Sequence, residues 1–131
     1  GTLYLAIVSL EKKRPYEAQE LMHFMWSAAA QTPYITTIIV VDHDVNVHDY
    51  SDVFNAVARN FRPKLDLTVT PPGLADLERP STFPRGVGAR LGIDATTKGP
   101  GEGKAGPPPE RAQMDAATQE AVEKNWRSYG F

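Results

Sequence analysis

The eight residues Tyr34 to Val41, YITTIIVV, constrain this chain more than any other stretch. They are β-branched almost throughout, and such side chains are stiff in a helix but suit a pleated surface, so the run is read as a central strand. Leu3 to Leu10 is a second apolar run, broken only by Tyr4 and Ser9, with the pattern of a short strand covered on both faces.

Between these runs the pattern changes period. Glu11-Lys12-Lys13-Arg14-Pro15 is a charged turn whose proline suits the first turn of a helix. Ala18, Leu21, Met22, Met25 and Ala29 then recur at helical spacing. Phe24, Trp26 and Ala28 fall off that stripe and make a second apolar surface, so Phe24 and Trp26 are expected at an interface. Gln31-Thr32-Pro33 ends the helix. Asp49-Tyr50-Ser51-Asp52 reads as the next helix start, with Asp49 as N-cap, and Tyr50, Val53, Phe54, Val57 and Phe61 as its buried stripe.

Pro63 stops that helix, Leu65 to Thr70 (LDLTVT) alternates as a third strand, and Pro71-Pro72-Gly73 closes it. Strand, helix, strand, helix, strand implies parallel pairing through right-handed crossovers. Residues 71 to 90 read as loop, and Ala89 to Ala95 as a brief return to the sheet. Lys98 to Pro109 is dominated by Gly and Pro and is expected to be an extended arm with little reason to pack. Asp115 to Arg127 is helical, with Ala121, Val122 and Trp126 available for docking. The fold expected is α/β: a small, mostly parallel sheet flanked by helices, then a Pro/Gly-rich arm and a C-terminal helix. Residues 1–97 are expected to form the domain and 98–131 the arm and helix.

A length of 131 residues suits one domain, and the net charge of −2 gives no basic field for nucleic acid or a membrane surface. With no cysteine the chain has no disulfide, thiolate metal site or cysteine nucleophile, which fits a reducing cytoplasm. Gly1-Thr2-Leu3-Tyr4 enters a strand with no initiator Met, so the chain reads as excised from something longer.

Asp42, His43, Asp44, His48 and Asp49 concentrate carboxylates and imidazoles after the best strand, at the edge where open α/β sheets usually bind ligands. They are read as structural: Asp42 and Asp44 accept backbone hydrogen bonds in the turn and Asp49 caps the helix. A metal site using Asp42, Asp44, His43 and His48 is the rival reading, although the spacing matches no metal signature. The glycines of 86–92 and 99–103 fail the dinucleotide and P-loop spacings, and no serine sits in a Gly-x-Ser-x-Gly context. No catalytic, cofactor-binding or metal residue is assigned. Asp94, beside Gly92 at a strand end, is expected to be a structural carboxylate, with Arg59 and Arg90 as candidate partners.

Three segments taken together, Ala6-Ile7-Val8-Ser9-Leu10, Ile39 to Asp49 (IVVDHDVNVHD) and Gly92-Ile93-Asp94-Ala95-Thr96, resemble the C-terminal part of the UbiD carboxy-lyase family. The resemblance runs from residue 1 to about 97, and the helix ending at Trp126 is similar to the family's C-terminal tail. His43 and Asn46 depart from it where family members often carry acidic residues, and the arm is not a general family feature. The resemblance implies reversible, non-oxidative decarboxylation of aromatic or α,β-unsaturated acids with prenylated flavin mononucleotide. It places the flavin, its metal ions and an Arg-Glu-Glu catalytic set in a preceding domain, so none of these is carried onto this chain. It implies instead an assembly and lid role beside a flavin-binding domain or subunit, in a homo-oligomer, expected to be a dimer. A non-enzymatic subunit-interaction module is the alternative.

Overall fold

The computed structural model describes residues 4–27, 35–71, 73–74, 87–103 and 114–129. Expectations for Ala28, Ala29, Pro33 and Tyr34, for residues 75–86 and for the arm beyond Gly103 lie outside these. The elements are β1 (Leu5–Leu10), α1 (Glu17–Trp26), β2 (Thr37–Asp42), α2 (Tyr50–Asn60), α3 (Pro63–Asp66), β3 (Leu67–Val69), β4 (Gly73–Leu74), β5 (Val87–Gly88), β6 (Leu91–Ala95) and α4 (Ala116–Asn125), with a 3-10 turn at Trp126–Tyr129. They form a mixed α/β fold on a four-stranded sheet of order β1-β2-β6-β3, in which β1, β2 and β6 are parallel and β3 is antiparallel; β4 and β5 make a separate antiparallel pair. Among the described residues no helix is long and apolar enough to cross a membrane.

As expected, the β-branched run holds the middle of the sheet, with Ile38, Val40 and Val41 wholly buried. Side chains alternate between faces along a strand. Ile38 and Val40 therefore join Ala18 and Met22 of α1, with Ala6, Val8 and Leu10 of β1, on one side. Ile39 and Val41 join Val53 and Ala56 of α2, with Ala95 of β6, on the other. At Gly92, α1 packs directly on the backbone of β6. A Cβ there would lie 2.4 Å from Met22 Sδ and 3.0 Å from Trp26 Cη2, so a bare backbone is what lets Met22 and Trp26 seat.

Helix α2 covers only part of its face. It starts after the turn that follows β2 and ends with Asn60 Nδ2 donating to Ala95 O at 3.0 Å, so it spans the C-terminal ends of the strands instead of returning to their N-terminal ends. This explains one departure from expectation. A strand following α2 must start where α2 stops and run backwards, so β3 is antiparallel to β6, and only Leu67–Val69 is strand. Leu65 and Asp66 instead finish α3, which Pro63 starts at its first turn.

A second departure lies in α2 itself. Val53 and Ala56 are buried and Val57 packs beside them, but Tyr50 and Phe54 are 66% and 63% exposed. The small Ala56 and the hydrogen-bonded Asn60 take the inner face, rotating the buried stripe away from the aromatics. In α1, Trp26 packs partly buried against its own sheet, leaving Phe24 on the outer surface.

Gly92→Ala should destabilise the chain by about 1–3 kcal/mol through overpacking against Met22. Urea unfolding of the two proteins checks this, and an unchanged midpoint would show that α1 lifts off β6 freely.

Candidate functional site

The parallel strands direct their C-terminal ends to one edge, and the chain leaving β6 folds back over it. Asp94, the penultimate residue of β6, has no exposed surface. Its Oδ1 accepts from Thr96 N–H at 3.0 Å, Thr96 Oγ1 at 2.6 Å and Lys98 Nζ at 2.8 Å. Its Oδ2 accepts from Gln19 Nε2 of α1 at 3.0 Å. Lys98, itself buried, also donates to the backbone oxygens of Asp94 and Thr96 and lies 3.7 Å from Asp66 Oδ1. Asp66 is in turn clasped by Arg62, whose N–H, Nε and Nη2 donate at 2.7, 2.9 and 3.0 Å.

The network continues to Glu102, also buried. Its Oε2 accepts from Lys12 Nζ at 2.7 Å and Gly99 N–H at 2.7 Å, and its Oε1 from Tyr16 N–H at 3.1 Å. Lys12 spends its other two protons on Thr96 Oγ1 at 3.1 Å and Thr97 O at 2.6 Å. Arg62 Nη2 donates to Glu102 O at 3.0 Å, and Tyr16 Oη to Gly101 O at 3.0 Å. Three cations, Lys12, Arg62 and Lys98, thus face three carboxylates, Asp66, Asp94 and Glu102.

Burial alone would raise the carboxyl of Asp94, but hydrogen bonds from Lys98 and Thr96 and the Lys98 charge outweigh it and hold it below the ordinary range. Glu102 is treated alike: burial pushes it up, while Lys12, Gly99 N–H and Tyr16 N–H bring it down further. Both stay ionised at neutral pH.

The residues singled out from the sequence are placed as follows. Asp49 caps α2, its Oδ1 accepting from Ser51 N–H at 2.9 Å. Asp42 holds its turn through its backbone oxygen, which accepts from Val45 N–H at 3.1 Å, while its Oδ2 reaches across to accept from Thr97 N–H at 2.8 Å and Thr97 Oγ1 at 2.7 Å. The turn is also tied by Asp52 Oδ2, accepting from Asn46 N–H, and by Asn46 Oδ1, accepting from His48 N–H. Asp44 is exposed and lines, with Glu11, Asp42 and His43, an open depression of about 640 Å³ beside the network. Among the described residues no three His, Asp or Glu side chains converge as metal ligands. Asp94 is paired, but not with Arg59 or Arg90. Arg90 sits at the other end of β6, its N–H donating to Thr70 Oγ1 and its Nη1 to Ile35 O.

Lys98 and Glu102 overturn the expectation that the segment from Lys98 has little reason to pack. Their signal was in the sequence: Asp94 and Lys98, like Arg62 and Asp66, are opposite charges four residues apart, and Glu102 stands among Gly99, Gly101 and Gly103. Gly101 and Gly103 take φ of 90° and 66°, which bends the segment back.

Residues 1–95 match the family described as the 3-octaprenyl-4-hydroxybenzoate carboxy-lyase C-terminal domain, UbiD_C. The chain belongs to the UbiD C-terminal domain family. A relative of uncharacterised function from Archaeoglobus fulgidus is 37% identical over 93% of this UbiD domain and 25% of its own length. The UbiD-class enzyme HmfF from Pelotomaculum thermopropionicum, solved in complex with FMN, aligns at a TM-score of 0.66 with 29% identity, over 88% of this chain and 24% of that one. Vanillic acid decarboxylase of Sedimentibacter hydroxybenzoicus aligns in its closed form at 0.70 with 27% identity, over 95% and 26% of the two chains. Its open form aligns at 0.68 with 26% identity, over 94% and 26%. This UbiD domain thus spans about a quarter of the length of these relatives.

The network's cations are each engaged by a carboxylate, and the depression beside them is lined by both signs of charge, Glu11, Asp42 and Asp44 together with Lys12 and Lys98. The network ties the edge of the sheet together.

Asp94→Asn should cost about 3–5 kcal/mol at neutral pH, because it removes the nearer counter-charge of buried Lys98 and leaves only Asp66, 3.7 Å away and shared with Arg62. Asp94 and Glu102 have lowered folded-state values, so their contribution is full above the ordinary carboxylate range and is lost as pH falls through the folded-state values. Denaturant midpoints against pH should accordingly fall on acidification in the unmodified chain and less steeply in the variant.

Proposed function

We propose that this UbiD domain is the C-terminal assembly and lid unit of a non-oxidative carboxy-lyase acting on an aromatic acid, and that it binds no flavin itself. Prenylated flavin mononucleotide and its metal ions belong to a flavin-binding domain or subunit that works beside it. The observation that carries the reading is the family match over residues 1–95 in a chain a quarter as long as its relatives. The alignment of the same unit with both forms of the vanillic acid decarboxylase supports a lid that moves as one body. The internally neutralised network supports it too, since a moving part must keep its own shape.

Within the unit, residues 1–97 form the family domain and 98–131 the arm and closing helix, the arm being pinned at its start by Lys98 and Glu102. Assembly is through a second copy, with the outward Phe24, 59% exposed, at the contact and the half-buried Trp26 behind it. The absence of cysteine suits work in a reducing cytoplasm.

Gel filtration of the chain with flavin mononucleotide, prenylated or not, should leave the protein colourless, and a stoichiometric yellow fraction would overturn the division of labour. In sedimentation equilibrium, Phe24→Ala should weaken self-association while Lys13→Ala leaves it alone. A chain that is monomeric up to about 100 micromolar, where even weak interfaces assemble, would assign that surface to the flavin domain.

A further inference from the structure

The four-stranded sheet ends in two edge strands, and they are not alike. β3 is three residues long, whereas β1 runs for six, LAIVSL, and pairs with β2 at every position. Natural sheets guard an open edge with a short strand, a bulge, a proline or a charge, because a row of unpaired N–H and C=O groups is a template for another strand. β3 has the first of these guards. β1 has none: its register is unbroken, and its side chains are Leu, Ala, Ile, Val, Ser and Leu.

The free groups of β1 can be named. Along a parallel ladder, successive residues aim their N–H and C=O to alternate sides. Tyr4 O accepts from Thr37 N–H at 2.9 Å, so Tyr4, Ala6, Val8 and Leu10 face β2, and Leu5, Ile7 and Ser9 face away. Among the described residues no strand lies on that outer side, and no turn or loop N–H or C=O bonds to these three. Leu5 and Ser9 are also exposed.

Three outward residues at alternate positions form a self-complementary set. Turned about a two-fold axis through Ile7, the strand meets a copy of itself running the other way. Ile7 then faces the partner's Ile7, Leu5 faces the partner's Ser9, and each such pair exchanges two hydrogen bonds. On the α1 face, Ala6 lies opposite the partner's Val8. Every cross-strand pair is apolar or neutral, and the charged run from Glu11 to Arg14 follows Leu10, outside the paired length. An isologous contact of this kind closes at two copies.

We propose that β1 pairs antiparallel with β1 of a second copy, joining two four-stranded sheets into one continuous sheet with the short strand β3 at either end. The inference rests on the reading that this domain assembles with a second copy, and adds a backbone contact to that assembly.

The test uses the full 131-residue chain. Amide hydrogen exchange at Leu5, Ile7 and Ser9 should slow as the protein is concentrated to about 100 micromolar, where even weak interfaces assemble. Ala6 and Val8, which face β2, should exchange slowly throughout. A contact made by a helix face would not single out alternate residues of β1. Ser9→Pro removes an outward N–H and no bond to β2, at a place where an edge strand accepts proline. It should leave the circular dichroism unchanged and raise the dissociation constant in sedimentation equilibrium about tenfold or more, since each dimer loses two hydrogen bonds. Ser9→Ala should not. The inference is overturned, with self-assembly left standing, if the chain associates while the three amides stay fast, or if Ser9→Pro associates as the unmodified chain does. A chain that stays monomeric overturns both. Should Ser9→Pro fail to fold, the exchange pattern of the unmodified chain decides alone. Protection that appears only on adding a flavin domain assigns the edge to that domain and overturns pairing with a second copy.

Discussion

A carboxylate with no exposed surface at the end of a central strand has to be met by a cation, and here the cation lies four residues further along the same chain. For Lys98 to reach Asp94, the backbone leaving β6 must turn back at once over the sheet edge. That turn places Thr97 on Asp42, and it carries Glu102 to Lys12 and Tyr16. Asp66 and Arg62 close the circuit from the far side, so β1, β2, β6, α1 and α3 are all tied at one edge. A buried pair of this kind adds little net stability, because desolvating both ions offsets their attraction. Its effect is to exclude alternatives: an arrangement that separates these partners strands a charge.

Much of this fold was legible in the sequence because its hydrophobic pattern is strong. The TIIVV of YITTIIVV became most of β2, the stripe of Ala18 and Met22 became the inner face of α1, and Asp49 caps α2. What escaped depends on tertiary geometry. The direction of β3 follows from the path of α2 across the strand ends, which no local pattern encodes. Tyr50 and Phe54 sit at helical spacing with Val53 and Val57, and only the packed structure reveals that Ala56 and Asn60 take the inner positions. The charge network was the least legible part, since its partners are up to 90 residues apart. Glycine and proline around Lys98 suggested an arm, whereas two of those glycines serve to fold it back.

Two kinds of adhesion divide the molecule. At one edge the strands are held by ions and hydrogen bonds, which have fixed directions and tolerate little displacement. On the faces, α1 and α2 are held by apolar contact, with Gly92 setting the distance of α1. An α/β unit built in this way keeps its internal geometry while its outer surfaces meet other polypeptide, the requirement for any part that must swing as a whole.

Because α2 crosses only one end of the sheet, no helix among the described residues covers the row at the opposite end of that face. Leu5, Thr37, Leu91 and Val69 stand in register across all four strands, and Leu5 and Val69 remain 36% and 59% exposed. Apolar surface left in water forfeits about 25 cal/mol for each square ångström. Any polypeptide that settles on this row recovers that amount only while it is bound. Through mass action, the resistance of the chain to unfolding then depends on how much of that polypeptide surrounds it, so a melting temperature measured on the chain alone describes the dilute limit and not a fixed property of the sequence.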